Sequence, residues 1–144
     1  MDQTDIKIMN ILQEDCKTTT REIGKLVGLT APAVSERVTR LREAGAITGF
    51  HAKLDPAQLG NRLCAYIMIN VPPESYTAFC EFAEKNPMIV EHHHIIGPNN
   101  ALLKVCVADA AALEQQLVKI RTFGLSQTSV VLNTYFDQKP FVLD

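Results

Sequence analysis

Residues 19–45 read Thr19-Thr20-Arg21-Glu22-Ile23-Gly24-Lys25-Leu26-Val27-Gly28-Leu29-Thr30-Ala31-Pro32-Ala33-Val34-Ser35-Glu36-Arg37-Val38-Thr39-Arg40-Leu41-Arg42-Glu43-Ala44-Gly45. Thr19 followed by Glu22 has the form of a capping box, in which each side chain accepts from the other residue's backbone N–H. Ile23, Leu26 and Val27 give the helix that follows an apolar side, and Gly28 is placed to end it. Thr30 offers a cap to a second helix, and Pro32 falls in its first turn, where a missing N–H costs little. Val34, Val38 and Leu41 then recur at helical spacing until Gly45. The spacing predicts helices over Thr20–Val27 and Ala31–Ala44, joined by a short Gly-containing turn. That is the helix-turn-helix pattern. Gly24 is a poor helix former, about 1 kcal/mol worse than Ala, and its expected use is to let a neighbouring helix approach closely.

Outward from this pair, Ile6, Met9 and Leu12, with Ile8 and Ile11, predict a preceding helix that ends near Asp15–Lys17. Thr4 or Asp2 can cap it. On the other side, Ala46 to Leu54 alternates like a short strand, with Gly49 suggesting a turn; a strand pair here would make the motif winged. At about 100° per residue, Val34, Val38 and Leu41 centre the buried stripe of the Ala31–Ala44 helix. Ala33, Ser35, Glu36, Thr39 and Arg40 lie where base edges in a major groove would be met. Arg21, Lys25, Arg42 and Lys53 suit phosphate contacts, and Thr30 joins the same surface at the helix start. Arg37 falls near the buried edge and is expected to be structural, paired with Asp2 or Asp5.

The whole chain has 144 residues, 47% hydrophobic and 21% charged, with a formal net charge of −2. That composition excludes a disordered chain. The apolar run Leu63–Ile69 is far short of the ~20 residues a membrane span needs. The acidic start, Met1 to Asp5, resembles no secretory or transit segment. Cys16, Cys64, Cys80 and Cys106 contain no C-x-x-C pair, so reduced thiols in a cytoplasm are expected. The overall charge argues against nucleic acid only until it is resolved along the chain. Residues 1–53 sum to +1 and residues 54–144 to −3, and Lys17–Lys53 carries a local +4. The basic balance coincides with the helix-turn-helix.

Residues 54–61 read as a connector with a short helical turn. Beyond it the pattern predicts a strand over Leu63–Val71, a helix over Ser75–Lys85 and a strand over Met88–Ile96. A turn at Gly97-Pro98-Asn99-Asn100 leads to a strand over Ala101–Val107, then a helix over Ala110–Arg121 and a strand over Leu125–Tyr135. The order βαββαβ is ferredoxin-like. The expected fold class is therefore α+β. A winged helix-turn-helix DNA-binding domain (1–53) is joined by a linker (54–61) to a ferredoxin-like effector-sensing and oligomerisation domain (62–144).

In this order and spacing, the chain resembles the leucine-responsive and asparagine-responsive (Lrp/AsnC) family of bacterial and archaeal transcription regulators. The carriers in the first half are Asp5-Ile6-Lys7-Ile8 with Leu12, Arg21-Glu22-Ile23, Val27-Gly28-Leu29-Thr30, Glu36-Arg37-Val38, Arg40-Leu41 and Gly45-Ala46-Ile47. In the second half they are Gly97, Leu102-Leu103-Lys104-Val105 and Thr128. The resemblance implies a sequence-specific regulator of double-stranded DNA. It also implies a homodimer, often assembled further into an octamer, that answers to an amino-acid effector bound near the turn after the second sensor strand. The residues it points to are Gly97, Asn99, Asn100 and Thr128. The family turn commonly reads Gly-Asp-x-Asp. Here Pro98 and Asn100 replace the acids, so a carboxylate for an effector's ammonium group is missing and the preferred ligand is expected to differ. Thr128 is either a ligand-binding hydroxyl or an ordinary polar strand residue.

Two other function classes have candidate residues in the sequence. Along a strand, His92 and His94 share a face and His93 takes the other. A pair is only two ligands, so no metal site is expected unless Cys106 or Glu91 comes close. These histidines are expected to line an interface or the surface. An enzyme would pair a cysteine with one of them, but Cys64, Cys80 and Cys106 lie in apolar stretches where thiols are inert. No phosphate loop or nucleophile elbow appears. Neither catalysis nor a cofactor is expected. The alternative is a small-molecule- or metal-responsive binding module without sequence-specific DNA binding.

Overall fold

The computed structural model describes residues 1–143, which group by their contacts into two units. The first comprises residues 1–53 together with 136–143, the second residues 54–135. The C-terminal segment, expected to belong with the second half, thus packs with the first.

In the first unit, helix α1 (Gln3–Glu14) is capped by Asp2, whose carboxylate accepts from Asp5 N while Asp5 accepts from Asp2 N. Helix α2 (Thr20–Val27) has the expected Thr19/Glu22 capping box and ends at Gly28, left-handed at φ +73°. Helix α3 (Ala31–Glu43) is capped by Thr30. Ile8, Ile23 and Val34, one from each helix, meet in a core that Ile11, Leu12, Val27, Leu29 and Val38 surround. Each such side chain contributes about 1.5–3 kcal/mol when fully buried. Residues 46–54 form no strand pair, so the expected wing is an irregular segment. The tail runs alongside as a further partner. The Gln13 carboxamide donates to Phe141 O and accepts from Phe141 N, both at 2.8 Å, and Lys53 pairs with Asp137 at 2.9 Å.

The second unit opens with a 3₁₀ turn, Pro56–Leu59. Strands β1 (Leu63–Asn70), β2 (Ile89–His94), β3 (Ala101–Val107) and β4 (Leu125–Val130) form one antiparallel sheet in the order β2-β3-β1-β4. Helices α4 (Tyr76–Lys85) and α5 (Ala110–Arg121) cover one face. This is the expected βαββαβ arrangement. Ala65, Ile67 and Ile69 of β1 and Leu103, Val105 and Val107 of β3 pack beneath Phe79, Ala83, Leu113 and Ile120. By strand alternation, Cys64, Tyr66, Met68, Leu102, Lys104 and Cys106 take the helix-free face. β4 is shorter than predicted: its ladder ends at Val130, and 131–135 leave the sheet.

The expectation of four reduced thiols is corrected. Cys64 and Cys106 are register partners on β1 and β3 and are joined as a disulfide, leaving Cys16 and Cys80 free. Their pairing depends on strand register between segments 42 residues apart, which cysteine spacing does not reveal.

Candidate functional site

The turn between α2 and α3 sets the geometry of the reader. Leu29 N donates to Gly24 O at 2.9 Å, folding the chain back over α2. A Cβ on Gly24 would collide with the Leu29 carbonyl oxygen. The close approach that Gly24 permits is that of the turn leading into α3, whose cap residue Thr30 would also lie 3.6 Å from that Cβ.

Helix α3 is then divided lengthwise. Val34 and Leu41 are buried, whereas Ser35, Glu36, Thr39, Arg40 and Arg42 are exposed. Ala33 is half-buried, under the Thr30 cap whose Oγ1 accepts from Ala33 N. Thr39 Oγ1 donates to Ser35 O at 3.0 Å. Arg21 and Lys25 are exposed on α2. Lys53, on the irregular segment, carries its Asp137 partner. Arg37 takes no part in this surface. Its guanidinium reaches Asp2 and Asp5, both at 2.7 Å, tying α3 to the cap of α1. The Arg37 hydrogen bond, and then the Asp5 amide, hold the Asp2 carboxyl below its ordinary range. Asp5 is lowered first by the Asp2 amide and then, against its own burial, by Arg37.

In the second unit, Gly97 opens the β2–β3 turn at φ +155°, and Pro98 is exposed while Asn99 is half-buried. Asn100 does not present its carboxamide outward. Its Oδ1 accepts from Val71 N at 2.9 Å and its Nδ2 donates to Val71 O at 2.8 Å. Its backbone N also donates to Ile69 O, and its carbonyl accepts from Tyr76 Oη and Ile95 N. Asn100 therefore builds the turn. Thr128 lies on β4 opposite Ile67, facing the helices, with its hydroxyl buried and without a partner. Gly97, Asn99 and Asn100 thus share one turn, while Thr128 lies across β1 from them. Ser126, two residues earlier on the same face, has the same orphaned hydroxyl. The period of two from Thr128 pointed to it.

His92 turns toward the helices, edge-on to Phe79 with ring centroids 5.2 Å apart, and its Nε2 is buried without a partner. Burial, and secondarily the neighbouring His93 and His94, push its pKa below 6.5. His94 packs on Tyr76 at 5.0 Å, and His93 points to the other face beside Glu91. Among the described residues no three potential ligands gather around a metal position.

A capped helix-turn-helix, with its second helix buried on one side and polar on the other, followed by a βαββαβ domain, defines a two-domain protein of the helix-turn-helix class. Residues 1–42 match the AsnC-type helix-turn-helix domain, and residues 64–141 match the Lrp/AsnC ligand binding domain. The chain belongs to the Lrp/AsnC family of transcriptional regulators. It is 34% identical over 134 residues to the uncharacterized HTH-type transcriptional regulator YezC of Bacillus subtilis, covering 93% of this chain and 95% of that one. It is 35% identical over 121 residues to the leucine-responsive regulatory protein of Rhizobium meliloti, covering 82% and 77%. Among solved structures, E. coli AsnC superposes with a TM-score of 0.87 at 25% identity, covering 97% of each chain.

Proposed function

We propose that this regulator reads duplex DNA with the exposed side of α3, placing Ser35, Glu36, Thr39 and Arg40 against base edges. Ala33 lets the helix start sit deep, and Thr30, Arg21, Lys25, Arg42 and Lys53 meet the backbone. The observation that carries this reading is the division of α3, with Val34 and Leu41 buried opposite a polar, cationic side. The chain works in the cytoplasm, without a catalytic step, as a homodimer or a higher assembly such as an octamer. Paired readers then meet half-sites ~34–36 Å apart or multiples of that. The effector is of the amino-acid class, a reading supported by the name of the leucine-responsive relative. It lodges by the Gly97–Asn99 turn, which Asn100 holds in shape, while the Thr128 hydroxyl, buried across β1 from that turn, stands apart from this contact.

The test is duplex binding measured against salt, on operator-derived and scrambled DNA. Arg40→Ala is expected to weaken binding to the operator by about 1–3 kcal/mol and to flatten discrimination. Lys25→Ala is expected to weaken both duplexes alike and to reduce the salt slope by about one. Equal affinity of wild type for both duplexes at every salt concentration would overturn sequence-specific reading and favour the binding-module alternative. A monomer by sizing would remove the half-site geometry.

A further inference from the structure

On the helix-free side of the sensor sheet, Cys64 and Cys106 stand directly opposite each other with Cα atoms 4.2 Å apart. Their backbone groups point away from one another. Cys64 O accepts from Val131 N at 2.9 Å, on the β4 side, and Cys106 N donates to Met88 O at 3.0 Å, on the β2 side. They are therefore a non-hydrogen-bonded antiparallel pair, the kind in which opposing side chains come closest, with Cα atoms about 4.5 Å apart. At this position the two sulfurs bond while the ladder keeps its register on either side. Within a single chain the two cysteines are unequally accessible: Cys106 is 2% exposed, whereas Cys64, second residue of β1, is half-buried. Exchange chemistry needs one sulfur that a small thiol or disulfide can reach and one held ready beside it.

We propose that Cys64 and Cys106 form a reversible thiol–disulfide switch in the sensor unit, exchanging with a small-molecule disulfide of the glutathione type. On closing, the Cys64 thiolate attacks the disulfide and releases one thiol. The Cys106 thiolate then attacks the mixed disulfide at Cys64 and releases the second. Two protein thiols are oxidised, one small disulfide is reduced to two thiols, and the two protons pass from the cysteines to the leaving thiolates. Opening runs the same steps in reverse, beginning with attack at Cys64. Closed, the bond ties the end of β1 to β3 at the residue whose carbonyl also holds Val131, where the chain leaves β4. The switch therefore sets how firmly this end of the sheet is held.

The experiment uses the full chain with Cys16→Ser and Cys80→Ser, so that only this pair reports. The protein is equilibrated while folded with oxidised or reduced glutathione, quenched, unfolded and alkylated for mass measurement. Oxidised glutathione is expected to leave no alkylated thiol and a chain two hydrogens lighter, reduced glutathione to leave two. The oxidised protein is expected to melt roughly 10 °C higher. Adding Cys64→Ser should abolish both responses while melting where the reduced protein melts, which shows that it folds. Two alkylated thiols after oxidised glutathione would overturn the pairing. A bond that reduced glutathione does not open in the folded protein would overturn the switch.

Discussion

The Asn100 carboxamide holds the backbone of Val71 in both directions, accepting from its N–H at 2.9 Å and donating to its C=O at 2.8 Å. In this way a side chain continues the β1–β3 ladder by one more rung, past the last backbone pair at Ile69 and Ala101. It fixes the turn where an effector is proposed to lodge. Gln13 treats Phe141 identically, so each unit closes one loose segment with a carboxamide clamp.

Asn100→Ala leaves both Val71 groups without their partner, and stability is expected to fall by about 1–3 kcal/mol. Asn100→Asp, which restores the family's acid, keeps the acceptor for Val71 N–H but sets an anionic oxygen against Val71 O. It is expected to destabilise comparably at neutral pH and to recover as the new carboxyl protonates. Urea midpoints with an unchanged m-value check both.

Gly24→Ala improves intrinsic helix propensity, yet its Cβ meets the Leu29 carbonyl oxygen in the turn. A net loss of about 1–3 kcal/mol is expected, as for overpacking elsewhere. Thermal melts of the full chain decide the sign. A stabilised variant would show that the turn relaxes freely.

The Asp2–Arg37–Asp5 cluster gives stability an acid edge. Both carboxyls are held below their ordinary range, by Arg37 first for Asp2 and by the Asp2 amide first for Asp5. A depressed folded-state pKa contributes stability that is present above the unfolded value, about 4, and is lost as pH falls through the folded one. Urea titrations from pH 7 to pH 2 are expected to show this decline. In Arg37→Met the decline should be shallower and the neutral-pH stability lower.

His92 adds a second pH effect of the same direction. Burial beside Phe79 lowers its pKa below 6.5, so the unfolded chain binds its proton more tightly than the folded one. Stability from this group is full above the unfolded value and falls as pH drops toward the folded pKa. His92→Phe, seated among the same aromatic rings, is expected to remove the slope between pH 7 and 5. An unchanged slope would assign it elsewhere.

Local signals were legible in the sequence. The Thr19–Glu22 box, the Thr30 cap and the Gly28 stop each act within a few residues, and the helices fall where they point. Arg37 was legible too, because helical phase placed it at the buried edge, where a pairing with Asp2 or Asp5 was expected and both are met. What the sequence concealed was non-local. Asn100 bonds to a residue 29 positions away, Gln13 to one 128 away, and Cys64 to one 42 away. Composition gives no register for such meetings. The alternation at 46–54 misled for a related reason: a strand needs a partner to complete its hydrogen bonds, and that segment has none in a sheet.

Residues 136–143 pack with residues 1–53, although 136–141 fall within the match to the ligand binding domain. The gene therefore has no single seam at which the two functions separate. A chimera made by joining a foreign reader at position 53 would inherit a tail matched to the reader it lost, with Asp137 and Phe141 facing strangers. Exchange of specificities in this protein calls for two crossovers, one near residue 53 and one near residue 135. A fusion placed after the tail would follow a segment that packs with residues 1–53 rather than with residues 54–135.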